Sequence, residues 1–131
     1  MQANCPKQYL PVAGIPLLQH TLERVALMPW FMHVVVVLAS VDVHWPAVEK
    51  ALPDSLQKKL LTAPGGKERF ESVHNALLCL ESHARANDWV LIHDAVRPCV
   101  RTSDVASLIA SLQHEPAGGL LAHPVRETLK L

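Results

Sequence analysis

A chain of 131 residues, half of them hydrophobic and 18% charged, is long enough to bury a core and too apolar to be disordered. Twelve basic and twelve acidic residues cancel, so no general attraction to a nucleic-acid polymer or a membrane surface is available, and an anionic ligand has to be held by local groups. Cys5, Cys79 and Cys99 show neither C-x-x-C nor zinc spacing, which speaks for a reducing cytoplasm; no signal peptide is visible, and the longest apolar run, VVVVLA, is far too short to span a bilayer.

The opening MQANCPKQYL has no apolar period and reads as a polar loop. PLLQHTLERVALM then sets Leu18, Leu22 and Val25 at helical spacing, with Pro16 suited to a first helical position. HVVVVLAS is a β-branched run, the pattern of a strand buried on both faces in a parallel sheet. WPAVEKAL predicts a short helix and QKKLLTA a second short strand. APGGKERFESVHNALLCLESHA predicts a glycine turn feeding a long helix whose stripe is Phe70, Val73, Leu77 and Leu80. DWVLIHD reads as a third strand. TSDVASLIASLQHE reads as a helix capped by Ser103 or Thr102, with Val105, Leu108, Ile109 and Leu112 on its apolar side. AGGLLAHPV reads as a fourth strand. Alternating helices and short buried strands predict one α/β domain over residues 1–131 with a mostly parallel sheet and helices on both faces. Such sheets usually begin with a strand and close after the last one, so the chain reads as an incomplete domain.

Ligands of doubly wound sheets lie beyond the carboxyl ends of the strands, which directs attention to the strand-end loops. In GGKERFESV, Gly65 and Gly66 permit close backbone approach or positive φ, and the helix that follows offers free N–H groups; Ser72 lies about a turn inside it, while Glu68, Arg69 and Glu71 are placed to cap or pair. An ordinary strand-to-helix turn is the plainer alternative. In LIHDAVRP, Asp94 suits Mg²⁺ or a hydroxyl and Arg97 a phosphate, unless the two simply pair and brace the loop. Lys7 in CPKQY is a mobile cation suited to a phosphate, and PVRETLK adds Arg126, Thr128 and Lys130 past the last predicted strand. The histidines are scattered singly, and no cysteine has a base near it in sequence.

Together and in this order, CPKQYL, GGKERFESV, HDAVRP and PVRETLK resemble the 2-C-methyl-D-erythritol 4-phosphate cytidylyltransferases of the non-mevalonate isoprenoid pathway. The resemblance implies a Rossmann-like nucleotidyltransferase fold whose first strand, glycine-rich P-x-A-x-G-x-G-x-R-M loop and C-terminal part lie outside these residues, with Met1 as the last residue of that loop. It implies that Lys7 stabilises the transition state at the α-phosphate. Gly65, Gly66, Lys67 and Ser72 would bind the nucleotide, with Gly66 and Ser72 contacting the cytosine; Lys67 stands where some members carry Asp, so that position would act through its backbone. Asp94 would bind near the nucleotide and hold Mg²⁺, Arg97 would contact the sugar-alcohol phosphate, and Thr128 would reach the partner subunit's substrate across a homodimer.

The implied reaction is cytidylyl transfer from CTP to methylerythritol phosphate with release of pyrophosphate. Two other readings remain open on sequence: a cytidylyltransferase for ribitol 5-phosphate, and a non-catalytic nucleotide-binding fragment. A redox dinucleotide domain is disfavoured, because no G-x-G-x-x-G follows a predicted strand.

Overall fold

The computed structural model describes residues 5–124. Two compact units divide the chain, Met1–Cys99 and Val100–Leu131. The first opens on a 3₁₀ turn, Lys7–Tyr9, and then a two-residue hairpin of β1 (Pro11–Val12) and β2 (Ile15–Pro16). Ala13 and Gly14 make the connection with φ of 51° and 83°, the pair of positive values that a tight antiparallel turn demands. Of the polar loop expected at 1–10, the described residues include the turn 7–9 with Tyr9 buried; beyond it, the Val12 carbonyl meets Nε2 of His20 at 2.9 Å.

Helix α1 (Leu17–Ala26) follows directly, Pro16 supplying its N-cap, and buries Leu18, Thr21 and Leu22. Strand β3 (Val34–Leu38) pairs in parallel with β4 (Leu60–Pro64), in register Val34 to Leu60 through Leu38 to Pro64. Between them run α2 (Trp45–Ala51) and the helical turn α3 (Asp54–Gln57). A helical crossover is what a parallel pair requires, because the chain must return to the same end before pairing again.

The core of this unit is Tyr9, Leu18, Leu22, Val36, Trp45, Val48, Leu52 and Leu56, with Val34, Leu38 and Leu60 packed against it. Alternation along β3 sends Val34, Val36 and Leu38 to this face. Each fully buried Leu or Val contributes about 1.5–3 kcal/mol relative to exposure. Helix α4 (Arg69–Leu80) lies against β3 and β4.

The stripe predicted for α4 holds only in part: Val73 and Leu80 are half-buried, whereas the other two face out. Phe70 is 71% exposed and Leu77 is also exposed, while Asn75 Nδ2 donates to Pro64 O at 2.9 Å and Cys79 Sγ lies 3.7 Å from Thr62 O. Ser72, Asn75, Ala76 and Cys79 share the side turned to the strands, at i, i+3, i+4, i+7 spacing. The polar bonds at the start of the helix set its rotation, as the site geometry below makes plain.

Residues 88–94, and residues 117–124 of the run 117–125, both runs expected as strands, join no ladder among the described residues; Val125 lies outside them. Apolar alternation specifies a surface to bury, whereas a strand also needs a neighbour to bond to. In the second unit, α5 (Thr102–Ser111) buries Val105 completely. Its N-cap is Arg101 rather than Ser103 or Thr102, and the Arg101 carbonyl accepts from the amides of Asp104 and Val105. No described helix is long and apolar enough to cross a membrane.

Candidate active site

Three chemically loaded segments lie at or after the carboxyl ends of β3 and β4. The first is the glycine loop. Gly65 N–H donates to Leu38 O at 2.7 Å, extending the parallel ladder by one bond, so this loop starts on the end of β3 as well as β4. Gly66 N–H donates to Ser72 Oγ at 3.0 Å, and the amides of Lys67 and Glu68 both donate to Glu71 Oε2, at 2.6 and 3.0 Å. Glu68 and Glu71 thus form a capping box, favoured also by the positive end of the helix. Neither glycine has positive φ; what they provide is close approach. A β-carbon on Gly66 would overlap that of Glu71, and one on Gly65 would stand 3.2 Å from Leu38 O. Fixing Ser72 and Glu71 over the loop is what turns Asn75 and Cys79 to the strands and Phe70 outward.

The second segment is the turn 93–97. Asp94 accepts from Arg69 Nη1 on Oδ1 at 3.0 Å and from Arg97 Nε on Oδ2 at 2.9 Å. Asp94 is 30% exposed and the two guanidinium groups 74% and 76%, so one carboxylate holds two arginines whose outer N–H groups face solvent. The Arg69 hydrogen bond and the two positive charges hold the Asp94 carboxyl below its ordinary range. His93 Nε2 lies 2.8 Å from Arg97 O; a carbonyl only accepts, so Nε2 carries the proton and the ring closes the turn. Thr21, the one buried polar side chain among the described residues, donates to Ala95 O at 2.8 Å and ties α1 to the same turn. The bracing pair Asp94–Arg97 is present, but Arg69 joins it from α4.

The third segment is the turn Lys7–Tyr9. Lys7 is exposed and makes no ion pair among the described residues. Tyr9 is only 6% exposed, and its hydroxyl donates to Asp42 Oδ2 at 2.7 Å, just past β3. Asp42 Oδ1 accepts from the amides of His44 and Trp45, at 3.0 and 3.1 Å, where α2 begins. Burial pushes the Asp42 carboxyl up, but the Tyr9 hydroxyl and these two amides outweigh it and leave it lowered. Burial, then the Asp42 bond and charge, raise the Tyr9 phenol, so it stays a donor throughout the physiological range.

The structure therefore joins Gly66 with Ser72, Lys67 with Glu71, and Asp94 with Arg69 and Arg97. The turn that carries Lys7 is tied to the segment after β3 by the Tyr9–Asp42 hydrogen bond. Thr128 lies outside the described residues, as do Arg126 and Lys130. Sequence reasoning missed Thr21, Tyr9 and Asp42. Only Asp42 carried a local signal, an acid two and three residues before the amides of a new helix, which is the Asx-turn pattern. The others act over separations of 74 and 33 residues, beyond any local pattern.

Among the described residues no cluster of three or more His, Cys, Asp or Glu is arranged for a metal. Each Asp94 oxygen keeps a second lone pair, and Mg²⁺ commonly takes one or two carboxylates plus substrate phosphates. A bare dication would meet two guanidinium charges here, whereas one arriving on a triphosphate brings the anions those arginines lack. The donor set fits a metal–phosphate complex to which Asp94 would contribute a carboxylate from among the described residues.

The family model described as 2-C-methyl-D-erythritol 4-phosphate cytidylyltransferase matches residues 1–131. A protein of that name from Pseudomonas putida (strain GB-1) is 46% identical over 131 residues, covering 99% of this chain and 54% of its own length. One from Hahella chejuensis is 42% identical over 130 residues, covering 99% and 52%. A solved structure, described as a crystal structure of 4-diphosphocytidyl-2C-methyl-D-erythritol synthase, superposes with a TM-score of 0.82 at 29% identity, over 96% of this chain and 59% of that one. The chain spans about half the length of the curated relatives it matches. The likeness extends to the fold, a Rossmann-like α/β nucleotidyltransferase architecture built on a parallel sheet.

Proposed function

The chain belongs to the 2-C-methyl-D-erythritol 4-phosphate cytidylyltransferase family, and from that membership we propose that the full-length protein transfers the cytidylyl group of CTP to methylerythritol phosphate, a step toward isoprenoid precursors. The observation that carries this reading is the Asp94-anchored pair Arg69 and Arg97, aimed at solvent beside a glycine loop whose amides are held in place by Ser72 and Glu71.

A phosphate oxygen of the sugar-alcohol substrate attacks the α-phosphorus of CTP in line. The new P–O bond forms as the bond to the bridging oxygen breaks, and pyrophosphate leaves with the electron pair. The nucleophile is already an anion, so no general base is required. What the reaction requires is positive charge, to offset repulsion between two anions and to stabilise the pentacoordinate centre.

Lys7 supplies such a charge at the α-phosphate. The Gly66 N–H and the Ser72 hydroxyl, bonded to each other here, are the groups that face the cytosine, with Gly65 and the Lys67 amide shaping the loop. Asp94 would hold Mg²⁺, which would supply charge neutralisation of the nucleotide phosphates. Arg97 receives the substrate phosphate, and Thr128 serves the second subunit of a homodimer. The three free cysteines are of the kind that a reducing cytoplasm maintains.

Pyrophosphate release by the full-length protein from CTP, Mg²⁺ and methylerythritol phosphate, with ribitol 5-phosphate in parallel, tests the activity and the substrate together. Turnover with ribitol 5-phosphate alone would overturn the substrate assignment. Lys7→Ala should lower kcat by about 10²–10³-fold, the typical effect of removing one preorganised charge-stabilising donor, with CTP affinity little changed. An unchanged kcat would remove Lys7 from the chemistry.

A further inference from the structure

The turn that carries Lys7 cannot hold itself. It is three residues long, and its backbone bonds are Tyr9 N–H to Pro6 O at 2.9 Å and Leu10 N–H to Lys7 O at 3.3 Å. A single 3₁₀ turn of this kind has poor hydrogen-bond geometry and no cooperativity to draw on. On one side the hairpin braces it, through Leu17 N–H to Leu10 O at 3.1 Å. On the other, the long-range polar anchor is the side chain two residues after the lysine.

We propose that Tyr9 and Asp42 form a latch that positions Lys7, fixing the Lys7–Tyr9 turn to the segment after β3 so that the ammonium is presented to the α-phosphate without Tyr9 or Asp42 touching substrate. This rests on the catalytic reading of Lys7 given above. The two carboxylate oxygens of Asp42 divide the work. Oδ1 receives the His44 and Trp45 amides and so is fixed to the start of α2, while Oδ2 is left for the Tyr9 hydroxyl at 2.7 Å. The Tyr9 ring also lies 4.9 Å from the His44 ring, tilted by 34°, and is part of the core with Leu18, Leu22 and Trp45.

A phenylalanine would fill that core equally well; the hydroxyl adds only the bond to Asp42. Asparagine at 42 would keep a carbonyl for the α2 amides, since Asn and Asp are equivalent caps, but in that orientation its other group is an amide that cannot accept from Tyr9. Tyr9→Phe and Asp42→Asn therefore each remove the latch while leaving the packing and the helix start in place. The glycine loop hangs from the same strand end, through Gly65 N–H to Leu38 O, so the latch sets Lys7 in register with the loop assigned to the base.

The test is a double-mutant cycle in the full-length protein, read by pyrophosphate release. Tyr9→Phe and Asp42→Asn should each lower kcat on the order of tenfold, the scale of a sub-ångström to ångström misplacement, with the KM for CTP within about twofold. The Tyr9→Phe/Asp42→Asn double variant should be no worse than either single one. In a Lys7→Ala background, Tyr9→Phe should cause no further fall, because nothing remains to position. A role in stability alone predicts the opposite, an equal factor in both backgrounds, and that result would overturn the latch, as would unchanged kcat in both single variants. If Tyr9→Phe does not fold, Asp42→Asn carries the same cycle. Lys7→Ala with full kcat would instead bring down the catalytic reading of Lys7, so the two failures are told apart.

Discussion

Single residues in this chain matter through what they leave room for as much as through what they contact. Gly66 is the clearest case. Its φ is ordinary, and its conformational freedom is not what the site uses. The position has to be bare because Glu71 folds back over the loop to collect the Lys67 and Glu68 amides. Gly66→Ala should push Glu71 aside, release those amides and shift the Gly66 N–H off Ser72. We expect the KM for CTP to rise about tenfold, equivalent to ~1.4 kcal/mol, with kcat changed less. Steady-state kinetics at varied CTP checks it; an unaltered KM would mean that the loop reads the nucleotide in another arrangement. Asp94 illustrates the converse, a group useful for its contacts. It holds two arginines together that would otherwise repel, and presents their outer N–H groups as a pair.

At the scale of elements, short pieces are held by side chains from elsewhere. Helix α2 is seven residues long and begins on the Asp42 carboxylate, which also holds the Lys7 turn. Because the folded-state carboxyl is lowered below its ordinary 3.8, Asp42 adds stability that is fully present above that value and is lost as pH falls through the lower folded value. The neutral Asp42→Asn variant should be less stable than the parent by about 1 kcal/mol near pH 7, the scale of one hydrogen bond to a charged acceptor at a partly exposed site. Denaturant titrations should show that difference unchanged from pH 7 to pH 5 and shrinking below about pH 4. A difference that grew on acidification would reverse the assigned sign. Helix α4 shows the same logic in rotation: hydrogen bonds at its first turn, rather than its largest apolar residues, decide which side meets the strands.

For the molecule as a whole, the first unit is built around one cluster in which Trp45 is the largest side chain. Trp45→Ala should cost about 3–5 kcal/mol, a large share of the 5–15 kcal/mol that typically separates a folded domain from its unfolded chain. Phe70→Ala should stay within about 0.5 kcal/mol, because a side chain 71% exposed has little burial to lose. Thermal or denaturant unfolding of the 131-residue chain distinguishes the two. Comparable losses at both positions would restore Phe70 to the core and overturn the observed rotation of α4.

Local chemistry made much of this legible in the residues alone. The β-branched run at 34–38 suits a strand, although Val36 is buried and Val37 exposed rather than both faces being covered, and Leu18, Leu22 and Val25 recur at helical spacing, so α1, α2, α4, α5, β3 and β4 were all readable. The glycine turn before α4 and the bracing of Asp94 by Arg97 were readable too, because both rest on neighbours close in sequence. Partners were not. That Asp94 would take Arg69 across 25 residues, Tyr9 would find Asp42, or Thr21 would reach Ala95 depends on how helices and strands pack, which no local pattern encodes. The same reason governs the apolar runs at 88–94 and 117–124, which remain outside any ladder among the described residues. Sequence determines that a segment would suit a strand or a side chain would suit a ligand; the tertiary structure decides whether a neighbour is there to bond it, because pairing is a property of two segments and never of one.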